Sequence, residues 1–190
     1  MRRHSALIGV ACGLACAVAF WTAEARADVI QIPSDWYTIA TAASGNKIDE
    51  VRVLLIKGAN PNTSDSQGRT ALSYAAQLGN LEMAAMLINA GASPDVRDKL
   101  GNSPVHWAAD SGHLQLLRLL CDVHAGIDVA NRQGITPLMM ASGRGNLPIV
   151  KLLLTRGANP KKQDYTGRDS LGWAAGQPAV MRALQDATRG

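Results

Sequence analysis

Residues 101–113 read GNSPVHWAADSGH, and the recurrence of that stretch decides the fold. Residues 68–80 read GRTALSYAAQLGN, residues 134–146 GITPLMMASGRGN and residues 167–179 GRDSLGWAAGQPA. Their leading glycines, Gly68, Gly101, Gly134 and Gly167, stand 33 positions apart. Without that glycine, SDWYTIATAASGNK fits the same register from Ser34. A second set recurs as KGANP from Lys57, NAGASP from Asn89 and TRGANP from Thr155, with VHAGID from Val123 as the odd member. A long fixed period with few gaps marks a solenoid, whose units bury their apolar faces against one another.

Each unit makes local physical sense. Thr70, Ser103 and Thr136 carry hydroxyls that can cap helix N–H groups, and Pro104 and Pro137 follow where a missing N–H costs nothing. A short helix comes next, with small pairs at 75–76, 108–109 and 174–175 and Ala141 in the remaining unit. Gly79, Gly112 and Gly145 break it. A second helix starts at Leu81, Leu114 or Leu147, with Pro148 in one first turn, and its apolar residues keep helical spacing, as in Leu116, Leu117, Leu119 and Leu120. Gly58, Gly91 and Gly157 end it in a left-handed cap, and Asn60-Pro61, Ser93-Pro94 and Asn159-Pro160 lead into a turn such as Asp98-Lys99-Leu100-Gly101.

The pattern G-x-[TS]-P-[LV]-H-x-A-A with its GA-N-P return resembles the ankyrin repeat, from about Ser34 to the C-terminus. The resemblance implies an all-α solenoid of helix-turn-helix units joined by hairpin-like turns. The units are 34–65, 66–98, 99–131 and 132–164, with a truncated cap at 165–190. In the cap, Gly176-Gln177-Pro178 departs from the S-G-N or L-G-N turn, and polar Gln185, Asp186 and Arg189 suit a surface facing water.

The first residues, MRRHSALIGVACGLACAVAFWTAEARADV, have the order of a secretory signal peptide. Arg2 and Arg3 precede an apolar run, Ala6 to Trp21, shorter than the ~20 residues of a membrane-spanning helix. Ala25-Arg26-Ala27 gives the small-x-small cleavage signal before Asp28. The expectation is a leader at 1–27, a lead-in at 28–33 and a periplasmic protein with no membrane insertion once the leader is removed. An uncleaved anchor is the alternative. Arg2-Arg3 alone is a weak twin-arginine signal, and Gly9 and Gly13 stand where a lipobox before Cys12 or Cys16 would want a branched apolar residue.

Export changes the charge argument. The chain has 19 Lys+Arg and 15 Asp+Glu; the leader carries Arg2, Arg3, Arg26 and Glu24, leaving 16 and 14, a net of +2. These charges are interspersed, so no one-sided basic surface for nucleic acid is expected. Without Cys12 and Cys16 only Cys121 remains, so an intramolecular disulfide is impossible and packing alone must stabilise the domain.

Within HWAADSGH, His106, Asp110 and His113 have the look of a metal or general-base site. Register argues otherwise. The slot of His106 holds Ser73, Met139 and Gly172 elsewhere, and that of His113 holds Asn80 and Asn146. The ankyrin resemblance implies that the first histidine bonds backbone between units and the second fixes the inter-helix turn. A zinc site needs three or four converging ligands, so none is expected, nor any other cofactor. Cys121 shares a slot with Leu55, Ile88 and Leu154 and reads as core; His124 replaces the capping glycine. No nucleophile elbow, phosphate-binding loop or HExxH stands in the sequence, and Gly143-Arg144-Gly145 is too short to imply one. Asn62-Thr63-Ser64 matches a glycosylation acceptor, relevant only in a host that glycosylates exported proteins.

The expectation is a non-enzymatic, monomeric module that grips a protein through a concave groove and its hairpin tips. By the resemblance, its variable contact positions include Trp36, Arg69, Leu100, Asn102, Asp110, Arg132, Ile135, Arg144, Tyr165 and Arg168. Three of six aromatics beyond the leader share one slot, Tyr74, Trp107 and Trp173, with Met140 between them. Two readings of that slot stand: inter-repeat packing, and a ladder whose edges floor the groove. An inhibitor or immunity protein against an exported toxin, or an accessory factor for a periplasmic redox enzyme, are the alternatives to a plain binding module.

Overall fold

Thr70 shows how the sequence starts each helix. Its hydroxyl accepts the N–H of Ser73 at 3.3 Å, and α3 (Ala71–Leu78) begins at the next residue. Asn80 and Asn146 do the same for α4 (Leu81–Asn89) and α8 (Leu147–Thr155), accepting from Met83 and Ile149. Asp169 caps α9 (Ser170–Trp173) from Gly172. Pro104, Pro137 and Pro148 each occupy a first helical turn, as expected.

The computed structural model describes residues 38–189; the expected leader and lead-in, and Trp36, lie outside the described residues. Among these residues there are ten helices, completed by α1 (Ile39–Ser44), α2 (Ile48–Ile56), α5 (Pro104–Ser111), α6 (Leu114–Asp122), α7 (Pro137–Gly143) and α10 (Pro178–Arg189). They belong to one compact unit, Tyr37–Gly190. The only sheet-like pairing in this region is an isolated antiparallel bridge between Ser64 and Thr70. This is the all-α stack of helix pairs that the sequence leads one to expect.

Odd-numbered helices form an inner row, even-numbered helices an outer row, and each inner helix packs on its own outer partner. Small residues bring the inner row close: Ala42, Ala43, Ala75, Ala76, Ala108, Ala109, Ala141 and Ala174 are all fully buried. Ala175, read as the second half of a small pair, is exposed, because α9 stops at Trp173. Between the rows lie Leu72, Met83, Leu87, Leu116, Leu117, Leu120, Ile149 and Leu153. Full burial of each such side chain is worth about 1.5–3 kcal/mol.

Successive units are also stitched through backbone at the hairpin tips. Lys99 N–H donates to Gln67 C=O at 2.9 Å, Arg132 to Leu100 at 3.0 Å and Tyr165 to Gln133 at 3.1 Å. The glycine at each tip makes this approach possible: at Gly101, φ is +84° and a Cβ would lie 2.7 Å from the Arg132 nitrogen. The left-handed caps at Gly58, Gly91 and Gly157 are present, and His124 adopts φ +61° in the same slot. Cys121 is buried in the core as expected, and burial raises the pKa of its thiol.

The last unit shows why its turn resists alignment. From Trp107 to His113 is six positions, from Trp173 to Gln177 only four, so the chain reaches the second helix two residues early. Gln177 nevertheless packs against Gly145 as Asn146 packs against Gly112. Val180 and Leu184 then cover α8, while the opposite face of α10 is exposed.

Candidate functional site

The histidine pair of residues 106–113 resolves into scaffold. His106 is fully buried; its Nδ1 accepts the Ser103 N–H at 3.1 Å, and its Nε2 lies 3.3 Å from the Ile135 carbonyl of the next unit. An Nδ1 that accepts from backbone N–H leaves the proton on Nε2, so the ring is neutral. Burial above all pulls its pKa down to about 4. His113 Nε2 lies 3.1 Å from the Gln77 carbonyl of the preceding unit. Asp110 accepts two hydrogen bonds from Arg144, of 2.8 and 3.0 Å. Three side chains thus serve three separate partners, and no group of three metal-type ligands occurs among the described residues.

Each hairpin tip is organised by one acid. One Asp65 carboxylate oxygen accepts N–H groups of Gln67 and Arg69, one of Asp98 those of Leu100 and Asn102, and one of Asp164 those of Thr166 and Arg168. The second oxygen reaches the aromatic nine residues on. Tyr74 donates to Asp65 at 2.5 Å, Trp107 to Asp98 at 3.1 Å and Trp173 to Asp164 at 2.9 Å. In the fourth unit the aromatic becomes Met140, which has nothing to donate, and the acid becomes Asn131. Its amide oxygen still holds the turn through Gln133 and Ile135, while its NH₂ donates to Asn102 at 2.8 Å. The Thr166 hydroxyl, the Arg168 N–H and the Trp173 indole hold the Asp164 carboxyl far below the usual carboxylate range, despite its burial. The packing reading of the aromatic slot is what the contacts describe: the polar edges are spent internally, and the three rings are half-buried between units.

Along the inner row the surface changes character. Between the second and third units Arg69 fills it. Its guanidinium carbon lies 3.8 Å from the Trp107 ring centroid and 5.6 Å from that of Tyr74, and it donates to Gln77 at 3.0 Å. Its Nε is 3.8 Å from Asp98, so it serves the stack more than a partner. Between the fourth and fifth units the same slot is Ile135, and the surface opens. One hollow of about 460 Å³ is lined by Asp110, Ile135, Met140, Gly143, Arg144 and Trp173. A second, of about 410 Å³, shares Ile135 and Trp173 and adds Arg132, Gln133, Asp164, Tyr165, Thr166 and Arg168.

Six of the ten expected contact positions, Asp110, Arg132, Ile135, Arg144, Tyr165 and Arg168, thus meet around these hollows, together with Trp173 of the aromatic slot. Leu100 and Tyr165 are 61% and 80% exposed on their tips. Arg69 and Trp107 belong to the filled portion. Asn102 is misplaced by register: it is 5% exposed, because its side-chain oxygen turns inward to accept from Asn131. Trp36 lies outside the described residues. Missed from sequence were the acid–aromatic pairs, whose only signal is the nine-residue spacing, and Gly143, which reads as a helix end.

The family model described as ankyrin repeats (3 copies) matches residues 10–99, 38–132, 87–164 and 105–188. The chain belongs to the ankyrin-repeat family. An ankyrin stack is a protein-interaction module, and the surface just described is where this one departs from uniform repetition.

Proposed function

We propose that this ankyrin protein is exported to the periplasm, where it binds another protein without performing catalysis, through the inner-helix surface and the hairpin tips. The observation that carries the reading is the pair of hollows beside Ile135 and Trp173, flanked by Tyr165 on an exposed tip. A half-buried aromatic beside an aliphatic floor and a guanidinium rim is the composition of an interface centre. Support for export is the order of the first 27 residues: charge, apolar run, small-residue cleavage signal.

Two measurements test it. Mass spectrometry of the protein from a Gram-negative envelope fraction should find Asp28 as the first residue; retention of residues 1–27 in the cytoplasm would reject export. Affinity capture from that fraction should yield a partner that is lost when Leu100, Ile135 and Tyr165 are changed together to Asp, Asp and Ala. Undiminished capture would reject the face. A captured toxin or hydrolase would make the outcome inhibition, and a redox enzyme would make it support.

A further inference from the structure

The hollows exist because three slots lose their usual occupant in one unit. Ile135 stands where Arg69 stacks, Met140 where Tyr74 and Trp107 stand, and Gly143 where Gln77 and Asp110 stand. Gly143 also lets Trp173 lean in: a Cβ there would lie 3.1 Å from the indole ring. Trp173 cannot swing freely, since Asp164 holds its N–H from below and Arg168 lies over its ring at 4.7 Å. The result is a fixed apolar seat, with Ile135 and Met140 as its floor and Trp173 as its wall.

The polar rim is unbalanced. Both Asp110 oxygens are taken by Arg144, and both Asp164 oxygens are taken by its own turn and by Trp173. On the donor side, Arg132 is exposed and makes no ion pair among the described residues. Arg144 and Arg168 keep 63% and 55% of their side chains exposed while using only part of their guanidinium donors. Three cations thus surround an apolar seat whose carboxylates are already used.

Resting on the reading that this face binds protein, we infer that the seat takes an extended peptide segment presenting an apolar side chain beside one or two carboxylates. The apolar group fills the space between Ile135, Met140 and Trp173. The carboxylates meet Arg132 and the free edges of Arg144 and Arg168. The openness of the hollows suits a side chain carried on a peptide, and the few, scattered cations lack the continuous track that a nucleic-acid backbone requires.

A randomised peptide library displayed on phage and selected on the purified protein tests this. Selected peptides should carry Asp or Glu within two positions of a bulky apolar residue, and their binding, followed by fluorescence anisotropy, should weaken with added salt. Arg132→Glu should weaken the best peptide about tenfold or more, while Arg118→Glu on the outer row should leave it unchanged. The double change Met140→Trp with Asn131→Asp, which restores an acid–aromatic pair and fills the seat at the cost of the Asn131–Asn102 hydrogen bond, should abolish binding while the protein still unfolds cooperatively. Peptides without acidic enrichment, or binding indifferent to Arg132→Glu, would overturn the inference yet leave a protein-binding face intact. Failure to select any peptide, or preferential binding of an oligonucleotide of equal charge, would overturn it as well. Loss of the face itself is read separately, from capture that survives the Leu100, Ile135 and Tyr165 changes.

Discussion

His106 illustrates how one residue can resemble chemistry and supply structure. In the folded protein its ring is neutral and its pKa lies about 4, against 6.5 for a free side chain. Because the folded value is depressed, the unfolded chain binds the proton more readily between those two pH values. Stability is therefore complete above about pH 6.5 and falls as pH drops toward 4, by an amount on the order of 3 kcal/mol from this group alone. His106→Met should flatten urea-unfolding midpoints across that window. The substitution is conservative in this fold, since Met139 holds the same slot and takes the Thr136 N–H on its sulfur at 3.4 Å. An unchanged pH slope would remove His106 as the cause. The acid–aromatic pairs yield a second test at this scale. Trp107→Met strips Asp98 of a donor and should cost about 1–3 kcal/mol, as a buried acceptor left short of a partner does. Adding Asp98→Asn, which copies the Asn131–Met140 unit, should recover a measurable part of the loss in a double-mutant cycle.

At the scale of the helix and its turn, most of the fold was legible because each signal acts locally. A hydroxyl before a helix, a proline inside it and a glycine after it state their purpose within a few residues, and the apolar spacing of Leu116 to Leu120 needs no neighbour to be read. The candidate site was legible only in part, since its features arise between units. Asn102 looks like a tip residue until Asn131, 29 positions later, draws it inward. Gly143 looks like a helix end until Trp173 occupies the space above it. Arg69 looks like a free cation until two rings close around it. Local code predicts turn strain more surely, and His124 is the case. Its φ of +61° suits the capping slot poorly for any residue with a Cβ. Exchange for the glycine found in the sister units should raise stability by about 1 kcal/mol in thermal or urea unfolding, with no change in binding. Gly79→Ala should go the other way, by about 1–3 kcal/mol, because φ is +72° there and a new Cβ would collide with the His113 ring.

On the scale of the whole stack, each unit touches only its neighbours, so the position of a defect along the row decides its reach. Leu117 lies between central units and Leu184 in the last helix; both are essentially fully buried. Leu117→Ala should cost about 2–5 kcal/mol and lower the unfolding midpoint of the entire stack. Leu184→Ala removes similar volume, but among the described residues α10 packs chiefly on α8 and α9, and it can release with α9 alone. Hydrogen exchange should therefore show lost protection over α9 and α10 while α5 and α6 keep theirs, and uniform loss along the row would contradict the picture. The consequence reaches function, because Trp173 and Arg168 belong to that same terminal unit. A chain that frays at α10 loses the wall of the seat while its central units stay folded. Leu184→Ala should then weaken binding at the Ile135–Trp173 hollows more than Leu117→Ala does, under conditions where both variants remain globally folded. Binding and terminal-unit stability are thus linked, and a ligand that occupies the seat should raise the protection of α9 and α10 once its concentration exceeds its Kd.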